Sequence, residues 1–134
     1  MQRALEKLVW QRADECCEYC QVPQRFDRLP FHIDHVVARK HRGMTLASNL
    51  CLACFACNNH KGANVAGVDP ATRKIVPLFN PRRHKWSRHF RWEGCYLVGL
   101  TPAGRATVNV LEINLPARLA FRQGLIDEGE FPPA

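Results

Sequence analysis

The sequence predicts an α+β domain in which a strand, a loop, a second strand and a short helix form a central unit, with helices on either side. Three observations predict it. Residues 31–37 are rich in β-branched side chains, residues 49–53 form a short apolar run, and the segment between them is polar and contains Gly43. Apolar residues at helical spacing stand near the N-terminus and again beyond residue 101. Two Cys-x-x-Cys pairs bracket the central unit. A chain of 134 residues suits one domain: residues 1–134 as a whole, with a core at about 12–63, a basic arm at about 72–92 and a C-terminal helical region at about 101–126.

In order, residues 1–15 place Leu5, Leu8 and Val9 at helical spacing among charges, which predicts an amphipathic helix ending near Cys16. Residues 21–30, with prolines and mixed charges, read as a loop. Residues 31–37 and 49–53 are the two strands, expected to pair antiparallel, and residues 55–61 make two helical turns closed by Gly62. Gly67, Asp69-Pro70, Pro77 and Asn80-Pro81 break the next segment into turns. Residues 92–100 suggest a strand or hairpin. Thr101-Pro102 starts a capped helix running to about Ile113 with Val108 and Leu111 inward, residues 115–126 form a last helix, and residues 127–134 form a frayed acidic tail.

The formal net charge of +7 points to a partner rich in negative charge, because Lys and Arg gain most where phosphates release counterions. The first ten residues interleave Arg3, Glu6 and Lys7 with apolar ones, unlike a signal peptide. No stretch approaches the ~20 apolar residues of a spanning helix. A cytoplasmic setting is therefore expected, in which cysteines spaced Cys-x-x-Cys hold metal rather than disulfides.

Cys17-Glu-Tyr-Cys20 and Cys54-Phe-Ala-Cys57 can each supply two thiolates to one tetrahedral zinc. Four thiolates leave no position open for water, so this Zn²⁺ would be structural. Cys51-Leu-Ala-Cys54 has the same spacing, and Cys16 adjoins Cys17. Pairing Cys54 with Cys57 is preferred, since it leaves Cys51 as a small apolar residue inside the second strand.

Asp34-His35, Asn49 and Asn58 lie in or beside the bracketed unit. Phosphodiester hydrolysis needs a base for water and neutralisation of the developing charge. His35 can be that base. A hard ion such as Mg²⁺ takes oxygen ligands and keeps several waters, so the Asp34 carboxylate and the Asn58 amide oxygen would suffice to hold it.

These elements, in this order, resemble the HNH endonuclease family: a first Cys-x-x-Cys, Asp34-His35, Asn49-Leu50, then Cys54-Phe-Ala-Cys57-Asn58-Asn-His-Lys61. The resemblance covers roughly residues 12–63 and implies a ββα-metal (His-Me finger) core acting on DNA. It implies His35 as general base, Asp34 and Asn58 as ligands of a catalytic divalent ion (Mg²⁺, Mn²⁺ or Ni²⁺), and Asn49 as the residue orienting His35. Asn58 stands where other members have His. Parts of the stretch from Pro77 to Ala106 are similar to tails of phage and bacterial members, and no chemistry is assigned to them.

Strand alternation sends Asp34 and His35 to opposite faces, so a bulge or the strand end must re-aim one of them. His32 shares the Asp34 face and is a further ligand candidate. On a helix His60 lies about 200° from Asn58, whereas Lys61 shares its face and could contact a phosphate. Residues 72–92 hold Arg73, Lys74, Arg82, Arg83, Lys85, Arg88 and Arg91 without an acid, interleaved with Phe79, Trp86, Phe90 and Trp92. Arg82, Arg83, Lys85 and Arg88 are the expected DNA contacts, while Phe90 and Trp92 belong to the core. The competing reading is a zinc-stapled nucleic-acid-binding module without catalysis, which has no need of a base beside two oxygen ligands. A thiol redox or storage role would leave the arm unexplained.

Overall fold

Helix α1 (Arg3–Arg12) stops earlier than its apolar spacing suggests, and the chain then turns sharply through Asp14 and Glu15, both with φ near +50°. It packs on β2 (Leu50–Ala53), and of its three spaced apolar residues Val9 is buried, Leu5 is half-buried and Leu8 is exposed. The computed structural model describes residues 1–133. β1 (His32–His35) and β2 pair antiparallel, with His32 opposite Ala53 and His35 opposite Leu50. All four residues of β2 are buried, which is why it is an unbroken apolar run rather than an alternating one. α2 (Phe55–Lys61) follows at once, with Cys54 as its N-cap and Gly62 beyond its end at φ +52°. The α+β class and the ββα core predicted by the sequence are the observed architecture.

β1 is shorter than residues 31–37 because side chains take over the ladder. Val36 N–H still donates to the Asn49 carbonyl, but Val37 N–H donates to the Asn49 side chain. The connecting loop carries two single 3-10 turns, Arg39–His41 and Ala47–Asn49.

The segment expected to be irregular contains a hairpin, β3 (Ala66–Val68) with β4 (Ile75–Pro77). Strands of three residues are too short to leave a periodic signal. Its turn is built on buried Asp69, which accepts from Ala71 N–H, the Thr72 hydroxyl and the Arg105 guanidinium. A single turn, α3 (Trp86–His89), leads into β5 (Phe90–Glu93), which pairs with β6 (Tyr96–Gly99). α4 (Pro102–Val110) lies across both hairpins, its N-cap Thr101 accepting from Gly104 N–H at 3.0 Å. It ends before Ile113; Leu111 is buried, Val108 only partly. α5 (Pro116–Asp127) follows. The tail is not simply frayed: Phe131 is buried edge-on against Trp92, with ring centroids 4.9 Å apart. Ala134, the last residue of that expected tail, lies outside the described residues.

Among the described residues no helix is long and apolar enough to cross a membrane.

Candidate active site and metal centre

Two knuckles converge beneath the ββα unit. In each, the backbone N–H of the second cysteine points at the sulfur of the first: Cys20 to Cys17 Sγ at 3.5 Å, Cys57 to Cys54 Sγ at 3.4 Å. Glu18, inside the first knuckle, is stitched to β2 by Glu18 N–H to the Leu52 carbonyl and Leu52 N–H to its carboxylate, both 2.8 Å. The four sulfurs of Cys17, Cys20, Cys54 and Cys57 all lie within 4.8 Å of one another and are buried. A tetrahedron with Zn–S bonds of about 2.3 Å has edges of about 3.8 Å, and the Cys20–Cys54 sulfurs are 3.8 Å apart. Burial pushes the Cys17 thiol well above its ordinary value, and its neighbouring thiols add to this, whereas hydrogen bonds from Cys17, Cys54 and Cys57 hold Cys20 well below it. The donor set is that of structural zinc.

Cys51 stands outside this cluster, in β2 opposite Asp34. Burial raises its thiol to about 12.

Arg118, on α5, carries no local sequence signal that would tie it to the knuckles; it is 61 positions from Cys57. Its Nη2 donates to Cys57 Sγ at 3.0 Å and reaches Cys54 Sγ at 3.9 Å, while Nη1 donates to the Leu111 carbonyl at 2.8 Å. Burial would lower its guanidinium, yet Cys57, Cys20 and Cys54 hold it above the ordinary value. Four thiolates on one Zn²⁺ would carry a net charge of −2, and Arg118 would offset part of it. Residues in this position typically govern metal affinity by ~10–100-fold. Arg118→Met is accordingly expected to speed zinc transfer to a chromophoric chelator by at least about tenfold, measured on zinc-loaded protein; an unchanged rate would remove Arg118 from the metal site.

On the other side of β1 and β2 lie the residues of the catalytic reading. β1 keeps regular register through Asp34 and His35 with no bulge and ends at His35, so alternation sends the two side chains to different partners, Asp34 to Lys61 and His35 to Thr45, and the expected re-aiming of one toward the other is not seen. Asp34 turns toward α2: its Oδ2 is 3.1 Å from Lys61 Nζ, which also donates to the His35 carbonyl at 3.3 Å. The 3.1 Å approach is an ion pair without hydrogen-bond alignment, and Asp34 Oδ2 is a buried oxygen with no hydrogen-bond donor. Burial raises the Asp34 carboxyl, and the neighbouring Lys61 ammonium counters this only in part.

Asn58 is half-buried one turn before Lys61 on α2, hence on the face that meets Asp34. Lys61 itself is buried, at 2 % exposure, and so is not on the open surface that the expected phosphate contact requires.

His35 extends to the connecting loop, where Nε2 lies 2.9 Å from Thr45 Oγ1. Asn49 makes no contact with the His35 ring among the hydrogen bonds of the described residues. Its Oδ1 accepts from Val37 N–H, and its Nδ2 donates to the carbonyls of Val37 and Met44 at 3.0 and 2.9 Å. Asn49 thus braces the loop that carries Thr45. Gly43 belongs to the same brace, since a Cβ there would fall 1.7 Å from the Val37 carbonyl oxygen. Thr45 has no sequence signature that sets it apart from other loop residues. His32 is exposed and tilts against Phe55, ring centroids 6.2 Å apart, while His60 pairs with Glu112 at 2.8 Å.

The basic arm is fastened by its aromatics. Trp86 Nε1 donates to the Tyr19 carbonyl at 2.8 Å and Trp92 Nε1 to Gln21 Oε1 at 3.0 Å, both near the first knuckle. Phe79 and Phe90 are buried edge to face, 5.1 Å apart. Arg83, Lys85 and Arg88 are exposed, whereas Arg82 is mostly buried and paired with Glu18. Arg83 borders two depressions, an open notch with Arg12 and Ser48 and a crevice with Val36, Lys61 and Asn64.

Residues 17–64 match the family model described as HNH endonuclease. No curated protein and no solved structure matches the chain.

Proposed function

We propose, taking as premise that the chain carries an HNH endonuclease domain at residues 17–64, that it hydrolyses phosphodiester bonds of DNA with a catalytic divalent ion and a structural zinc. The observation that carries this reading is the buried, donor-less Oδ2 of Asp34 facing α2, beside His35 at the strand end. Its nearest counter-charge is the Lys61 ammonium at 3.1 Å, which neutralises the buried oxygen without an aligned hydrogen bond, an incomplete satisfaction that a coordinating ion would improve. Asp34 and Asn58 are the oxygen donors that would hold the ion, and such sites leave room for waters and a phosphate oxygen. The bound ion supplies charge neutralisation at the phosphate and the leaving oxygen.

His35 takes the proton from the attacking water. With Nε2 held at Thr45 Oγ1, the nitrogen left for that work is Nδ1, and Nε2 then carries the ring proton and donates it to Thr45. Thr45 is thus a positioning residue for the tautomer, and Asn49 positions Thr45 by holding the loop at Val37 and Met44.

The deciding experiment incubates chelator-washed, zinc-retaining protein with supercoiled plasmid and added Mg²⁺, Mn²⁺ or Ni²⁺. Nicked or linear product that disappears with EDTA is expected. Binding without any cleavage under all three ions would leave the nucleic-acid-binding module as the function.

The exposed arm cations supply sequence-independent affinity in this reading. Replacing Arg83, Lys85 and Arg88 with Ala should weaken binding to unrelated duplexes alike and flatten log affinity against log salt by ~0.9 for each phosphate no longer neutralised. Arg82→Ala should change the slope least, because Arg82 is committed to Glu18. An unchanged slope for the triple variant would move the DNA track to Arg39, Lys40 and Arg42 on the connecting loop.

A further inference from the structure

Lys61 is the most buried cation beside the candidate site, and nothing in the chemistry of hydrolysis requires it there. Its side chain is 2 % exposed, its ammonium lies 3.1 Å from Asp34 Oδ2, and its one hydrogen bond among the described residues goes to the His35 carbonyl at 3.3 Å. That is a loose set of partners for an ammonium with three donors to satisfy. The same Asp34 oxygen has no hydrogen-bond donor, so Lys61 neutralises the carboxylate without saturating it.

We propose that Lys61 is an internal counter-ion: its ammonium occupies the position of the catalytic divalent ion on Asp34 and yields it when that ion binds. The inference rests on the reading of Asp34 as an ion ligand. Two cations cannot share one buried carboxylate oxygen at contact distance without strong mutual repulsion, which at 4 Å exceeds a tenfold effect on affinity even at a high effective dielectric. The ion must therefore displace the ammonium, and the lysine has somewhere to go. Lys61 already borders the crevice formed with Val36, Asn64 and Arg83, where a released ammonium would meet solvent or a phosphate of the substrate. Lys61 thus holds the Asp34 carboxylate in place without a metal, at the cost of weaker metal binding.

The test is Mn²⁺ binding by the full-length, zinc-loaded protein, followed by calorimetry or by the loss of the free-ion EPR signal, with no substrate present. Lys61→Met should bind Mn²⁺ at least about tenfold more tightly than the parent, Lys61→Arg should bind no more tightly than the parent, and Asp34→Asn should bind more weakly. If Asp34→Asn weakens binding while a folded Lys61→Met leaves it unchanged or weaker, the inference alone is overturned. If Asp34→Asn binds as the parent does, the ligand reading fails with it. Should Lys61→Met not fold, the parent answers the question by reductive methylation read by mass spectrometry. Lys61 should be protected without Mn²⁺ and modified with it, and equal protection in both conditions overturns the proposal.

Discussion

His35→Ala is expected to reduce plasmid cleavage by ~10²-fold or more, the usual contribution of a general base, while leaving DNA binding nearly intact. The asymmetry follows from what the ring touches. Its only hydrogen bond among the described residues is to Thr45, so its removal takes no ion ligand away and leaves the Asn49 brace standing. A base acts on water in the transition state and adds little to ground-state affinity. The loss should therefore appear in the rate at saturating DNA. Cleavage within a few-fold of the parent would transfer the role elsewhere, and the structure gives no ready substitute: His32 leans on Phe55 and His60 is engaged by Glu112.

The second large effect is on folding. Purified protein should hold one tightly bound zinc per chain, and Cys17→Ser combined with Cys54→Ser should abolish its retention and the cooperative thermal transition together. Structural zinc in small domains is worth an apparent ~10–16 kcal/mol at neutral pH, comparable to or larger than the ~5–15 kcal/mol that holds a typical domain folded. The knuckles bring residues 17–20 together with residues 54–57, so the metal would close the strand pair at its base, the end where His32 lies opposite Ala53. Metal must compete with protons for four thiolates, so retention should fall as pH falls. Metal analysis and circular dichroism on the double variant decide the matter: a folded sample without zinc, or full zinc retention, would sink the assignment.

Where chemistry demands residue types at short spacing, the sequence is sufficient. The two knuckles, the strand pair and α2 with Gly62 after its last residue are all legible, because thiolate spacing, an apolar run and a C-terminal glycine are local signals. What escapes is set by distant packing. Arg118 meets the knuckles from another helix, Asp69 organises a three-residue hairpin through Arg105, and Phe131 buries itself on Trp92. Asn49 is legible as a residue but not in its manner of action, since a side chain that replaces ladder hydrogen bonds also shortens the strand from which the ladder is inferred. The helical face of Lys61 correctly groups it with Asn58 but says nothing of depth.

The brace at Val37 also decides where this molecule can change over evolutionary time. Asn49 engages both backbone polar groups of Val37, and the Val37 carbonyl blocks any side chain at position 43. Between those fixed points the loop turns Met44 and Leu46 outward, at 64 % and 49 % exposure. Side-chain changes at these two positions cost little stability, since only their carbonyls, which accept from Asn49, are held. They also flank Thr45, the partner of His35. The positions freest to vary thus sit directly beside the proposed base, where substitutions could alter what the loop meets without disturbing the Val37 brace.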